Sequence, residues 1–298
     1  MKRPHRSITR NAAGLSCPLL SMLMARSAAA QRSRCNTRAT PTTHITGTTL
    51  PSGETIQYAG GGIFVDCPSK GITLHSDSAE IYSDNRVFLL GHVDYKEPRL
   101  AMTSDFLTYY LADERILAAG NVNARLPSGS TLVGPQAEYR RAVPRVRVRA
   151  QLLAPGRPTV TIVQRDASGK TDPPINVIAN TIFMDGDSLI YGSGQVEIIR
   201  PELNAKGDSA FISTGQELMQ LMRNPVVEGT RGRPFKLVGE RIDVFAKQRK
   251  VQRILSRAHA EATSRDLTLN ADTIDLRVAN DLLDRAYAWG PSRARARS

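Results

Sequence analysis

The chain contains a single tryptophan, and aromatic residues make up only 5% of its 298 positions. Single-stranded nucleic acid is held by aromatic stacking beside a basic groove. Here the aromatics do not alternate with the basic stretches, so the excess of 40 Lys+Arg over 28 Asp+Glu does not point to nucleic acid. Three cysteines are too few for a disulfide-built scaffold. The five histidines are scattered, without zinc spacing, and neither a phosphate loop nor a nucleophile elbow is present. His75 with Asp77 and His92 with Asp94 sit at i, i+2 on strand-like segments, the usual arrangement of solvated residues. No paired carboxylates mark a catalytic centre. The chain therefore reads as noncatalytic, without metal or cofactor. Helical periodicity is also missing, and no apolar run reaches the roughly 20 residues that span a bilayer.

What the sequence does contain is a sevenfold repeat: a small residue, a polar residue, then alternating apolar positions. Its copies start at Ser76, Ser104, Gly134, Ala179, Gly207, Gly239 and Ala271. A period this long argues for stacked supersecondary units, with function carried by the surface they build. Inside a unit the apolar period is two, as on a strand. Ile72, Leu74, Ser76, Ala79 and Ile81 run to a turn at Ser83-Asp84-Asn85, then Val87, Leu89, Gly91, Val93 and Tyr95 follow. Corresponding turns fall at Ala112 to Glu114, Val143-Pro144, Asp185 to Asp187, Ser213 to Gly215, Lys247 to Arg249 and Asn280-Asp281. The fold class is all-β: a twisted two-sheet β-jellyroll of about seven hairpins, open at its edges, whose apolar faces cover one another. Gly91, Gly120 and Gly194, with Ala150 and Ala258 at equivalent places, either turn the corner of the rolled sheet or leave room for a lipid-sized groove.

The stretches DNRVFLLGHV (Asp84–Val93), DERILAAGNV (Asp113–Val122) and GSGQVEI (Gly192–Ile198) resemble the OstA-like (organic solvent tolerance) family. That family holds the periplasmic bridge proteins of lipopolysaccharide transport and the soluble amino-terminal domain of the outer-membrane lipopolysaccharide assembly protein. Other copies depart from the signature, with Ala150, Asn224, Ala258 and Ala286 at the glycine position. The resemblance implies a V-shaped roll that carries lipid A acyl chains inside, driven from elsewhere by an inner-membrane ABC transporter. Partners implied are lipopolysaccharide or a related lipid, and homologous jellyroll domains of the bridge, including copies of this chain head to tail. Groove candidates are Ile81, Leu89, Tyr109, Ile116, Val122, Ile182 and Val196. The alternatives are a structural or adhesive β-repeat protein with a closed interior and a carrier of another lipid.

Residues 1–30 read as a signal peptide. Lys2, Arg3, Arg6 and Arg10 precede the uncharged stretch from Ala12 to Ala25, and Ser27 to Ala30 offers small residues for cleavage. The expected location is the periplasm, with association to the outer membrane implied by the family. Residues 31–47 read as a disordered linker, 48–290 as the jellyroll domain with a loop insertion at about 154–174, and 291–298 as a basic disordered tail. Cys35 and Cys67 remain after cleavage, and an oxidising compartment permits them to pair. Arg145, Arg147 and Arg149, at alternate positions of a supposed strand, either cover a solvated outer face or contact sugar phosphates. The open edges are expected around Phe64 and Ala286, where unpaired backbone groups invite a partner.

Overall fold

The structure is a computed structural model and describes residues 36–39, 44–165, 168–232 and 234–296. Among these residues every regular element is a β-strand, and no helix is long and apolar enough to cross a membrane. Alternation explains the strands. In Leu100–Tyr110, Leu100, Met102 and Ser104 point inward, and after a bulge Leu107 and Tyr109 do the same.

The 22 strands among the described residues form sixteen antiparallel rungs, because six rungs consist of two short strands in line. Long single rungs include Ile72–Tyr82, Arg86–Glu97, Arg115–Arg125 and Leu189–Ile199, whereas Gln151–Pro155 with Thr159–Ile162 makes a split one. Each rung pairs with the rung before and after it, from Asn36–Ala39 and His44–Thr49 at one end to Leu282–Trp289 and Arg293–Ala296 at the other. The seven predicted hairpins are present, and six of their turns fall where expected; the third closes through the long connection 141–150 and not at Val143-Pro144.

Register slips near the middle of the long rungs, as at Leu90/Val93, Ala119/Val122 and Ser193/Val196, so the meander is creased along its length. The crease is what the repeat encodes. Its small residues lie inside, with Ser76, Ser104 and Ala179 buried. The Ser76 and Ser104 hydroxyls donate to the carbonyls of Ser78 and Phe106 across the bulge, at 3.0 and 2.9 Å. The polar second residues lie outside and meet the next rung. His92 Nδ1 is 2.7 Å from Asp77, Asn121 donates to Asp105 at 2.8 Å, and His259 Nδ1 is 2.9 Å from Glu240. Gly91, Gly120 and Gly194 have positive φ, and a Cβ on Gly91 or Gly120 would collide with the carboxylate of Asp77 or Asp105. The glycines therefore turn the outer corner and do not widen the interior.

Several expectations need correction. Residues 31–47 include the strand Asn36–Ala39 and most of the strand His44–Thr49, not only a disordered linker. Arg293–Ala296 pairs with Leu267–Asn270, so the basic tail extends the last rung. The segment at 154–174 is no simple insertion: Gln151–Pro155 and Thr159–Ile162 form a regular rung bent at Gly156-Arg157, and the long connections are 141–150 and 163–174. Gly156, not Ala150, occupies that corner, and Gly290, not Ala286, occupies the last one beside Asp272.

Arg145, Arg147 and Arg149 lie in the 141–150 connection rather than on a strand. Pro144 and a positive φ at Arg145 break the alternation there, and Val146 and Val148 are exposed. Phe64 is no edge residue, since it pairs with Arg38 on one side and His75 on the other. Cys67 is buried and disulfide-bonded. Cys35, its expected partner, lies outside the described residues, as do residues 1–30, where a signal peptide is expected.

Candidate functional site

Two half-sheets face each other across the crease, and their inward side chains fill one continuous core. Of the groove candidates, Leu89, Tyr109, Ile116, Val122, Ile182 and Val196 all lie in it. Ile116, Val122 and Ile182 are wholly excluded from solvent. Ile81 differs. It pairs with Val87 on the inward face shared by Ala79 and Leu89, yet it is 38% exposed. Beyond it, Ile45 opposite Ala59 is 64% exposed. The inward face thus continues past the core and lies bare at the amino-terminal mouth.

Opposite the crease runs a seam, where turns from the two half-sheets meet. Near the amino-terminal end it is closed by a buried polar cluster. From one lip, Arg141 binds Glu97 of the other, and Tyr139 donates its hydroxyl to the same carboxylate. Lys70 of the far lip pairs with Glu114 of the near one. Arg141 also donates to Glu114 at 2.8 Å and to the Lys70 carbonyl at 3.3 Å, while Tyr109 donates to Glu114 at 2.7 Å. The Glu97 side chain is only 4% exposed.

Burial by itself pushes the Glu114 carboxyl up. Hydrogen bonds from Lys70, Tyr109 and Arg141 outweigh it, so its pKa falls below the ordinary carboxylate value. Burial first, then the neighbouring Glu97, holds the Tyr95 and Tyr139 hydroxyls protonated well above the usual phenol range. Tyr95 and Tyr109 come from opposite half-sheets and touch edge to face at 6.5 Å.

Further along, the seam ties are sparser. Ser128 N donates to Asp187 at 3.3 Å, Arg249 pairs with Asp172, Arg200 donates to the Arg249 carbonyl at 2.8 Å, and Arg231 meets Asp281 at 2.9 Å. Between Arg200 and Arg249 a narrow cleft with about 30 Å³ of free space reaches the inward residues Ile175, Ile212, Met219 and Val244.

The sequence missed the seam, because nothing in a linear pattern says which turns meet. It also missed the partners of the basic residues. On the outer face Arg241 and Arg257 flank the buried Asp243, and Arg253 and Arg277 flank the buried Asp275. Four of the cationic groups in that region are thereby tied to carboxylates. Arg147 donates to the Arg141 carbonyl at 2.6 Å, Arg149 lies 3.7 Å from Asp185, and Arg145 sits at the exposed tip of its connection. The three do not converge on one point. Among the described residues no group of three or more His, Cys, Asp or Glu is placed to hold a metal.

No family model matches the chain, and no curated protein matches it. Among solved structures, the chain is similar to LptH, described as the LptA homologous periplasmic component of the conserved lipopolysaccharide transport device from Pseudomonas aeruginosa. That similarity has a TM-score of 0.35 and 16% sequence identity, over 40% of this chain and 84% of that one.

Proposed function

We propose that the chain is a noncatalytic periplasmic carrier that shelters the acyl chains of lipopolysaccharide, or of a related lipid, inside its creased sheet. The observation that carries this reading is the single apolar inward face, continuous over the rungs and bare at one end around Ile45 and Ile81. An acyl chain of a dozen carbons loses on the order of 10 kcal/mol on entering water, at about 0.8 kcal/mol per methylene. A series of similar apolar positions lets such a chain pass without one deep trap. The resemblance of Asp84–Val93, Asp113–Val122 and Gly192–Ile198 to the OstA-like family supports the same reading. Through its end rungs the chain would join homologous roll domains, or copies of itself, and so extend the path.

Photoreactive residues placed at Leu89, Val122, Ile182 and Val196 are expected to crosslink to lipopolysaccharide in cells, with weak or sugar-only labelling from Arg147. Equal labelling inside and outside would remove the carrier reading. A second reading, a structural β-repeat with a permanently dry interior, is favoured by the complete exclusion of solvent at Ile116, Val122 and Ile182. It requires that no inward position label at all.

A further inference from the structure

We propose that the roll loads sideways, through the carboxy-terminal half of its seam, and that the cleft between Arg200 and Arg249 is the entry site for the alkyl chain of an anionic amphiphile. This rests on the carrier reading above and adds where and how the chain enters. The two halves of the seam are built differently. At the amino-terminal half, Arg141, Glu97, Glu114 and Lys70 cross-link the lips by several bonds, and the Arg141 side chain is 14% exposed. Removing one partner there would strand a buried charge. At the carboxy-terminal half, Arg249–Asp172 and Arg231–Asp281 are pairs between partly exposed side chains, with Arg231 49% exposed, and the part-buried Arg200 adds a single hydrogen bond, to the Arg249 carbonyl. Such pairs hold weakly and exchange with solvent. The lips therefore part most easily there.

The same place has the chemistry for an amphiphile. Ile175, Ile212, Met219 and Val244 form an apolar floor that belongs to the continuous core, and Met219 can reshape to admit a chain. Two guanidinium groups stand on the rim, and the Glu217 carboxylate beside them is taken up by the backbone N–H groups of Gln248 and Arg249. Arg200 Nε lies 2.6 Å from Glu202 but without the alignment of a hydrogen bond. A phosphate or carboxylate head could take the place of Asp172 on Arg249, which opens the lip as the tail goes in. Charge complementarity thus selects an anionic head over a neutral one.

The test uses the full chain and cis-parinaric acid, a fluorescent fatty acid, in stopped-flow. Asp172→Asn and Arg231→Gln should each raise the association rate by about threefold to fivefold, the share of an exposed ion pair. Lys70→Met, in the tight half, should leave that rate unchanged. Competition by dodecyl phosphate should weaken about tenfold in Arg200→Gln, as befits a charge-assisted hydrogen bond. Competition by neutral dodecyl maltoside should not change. Laurate in place of dodecyl phosphate tells a carboxylate head from a phosphate one. Binding of the probe with rates unmoved in both loosened variants, or accelerated equally by Lys70→Met, overturns the side entry and leaves the carrier reading standing. A wild-type chain that binds no probe sinks both.

Discussion

Gly120 has a φ of +74°, and a side chain there would strike the Asp105 carboxylate of the preceding rung. Gly120→Ala should therefore destabilise the fold by about 2 kcal/mol, part of it backbone strain and part collision. Adding Asp105→Gly, which removes the Cβ at 2.8 Å as well as the carboxylate, should restore only the collision share, and urea midpoints of the two variants measure the split. At the next level of burial, Arg141→Met leaves Glu97 charged with no countercharge, held only by the Tyr139 and Tyr95 hydroxyls. It should cost about 3–5 kcal/mol, and the double variant with Glu97→Gln should recover much of it. His92 offers a pH signature. Its hydrogen bond to Asp77 raises its pKa above the ordinary 6.5. The stabilisation from that pair is complete below 6.5 and is lost as pH rises through the higher folded value. NMR titration of the ring in wild type and Asp77→Asn should show the pKa fall back in the variant.

Among elements, protection should follow burial of the rungs. His44–Thr49 is exposed along its length, whereas Arg115–Arg125 places Ile116, Ala118, Val122 and Ala124 in the core. Amides of the central rung are expected to exchange orders of magnitude more slowly than those of the first, and a uniform exchange profile would contradict the open mouth. In the last rung, Leu282–Trp289 has Leu267–Ala279 as its neighbour on one side. If its outer edge joins another roll, Ala286→Pro should abolish concentration-dependent association in sedimentation while leaving the fold intact. The hairpins themselves were legible in the sequence because a period of two and a turn signal are local properties. The 141–150 connection was not. Its alternating Arg and Val mimic a strand, but Pro144 and the left-handed Arg145 break it, a choice made by the chain's need to cross to the next rung.

For the whole molecule, closure along the seam should weaken in acid. The Glu114 pKa is depressed, so its contribution is complete above the ordinary carboxylate value and is lost as pH falls through the folded one. The stability gap between wild type and Glu114→Gln, large at neutral pH, should shrink towards zero in strong acid when urea midpoints are compared. By itself the sequence determined the all-β class, the seven hairpins, all their turns but the one at 141–150, and the inward set from Leu89 to Val196, because each follows from short-range alternation and from small residues at fixed offsets. It also located the corner glycines without deciding between their two roles. Tertiary structure decided that these glycines meet carboxylates on the outside, that Ile81 lies bare at the mouth, and that Lys70, Glu97, Glu114 and Arg141 close one seam. Arg141 and Glu97 are 44 residues apart, and only the lengthwise folding of the sheet brings their turns together. A pattern of period two fixes which face a residue takes, but it is silent on which ends of the strands meet.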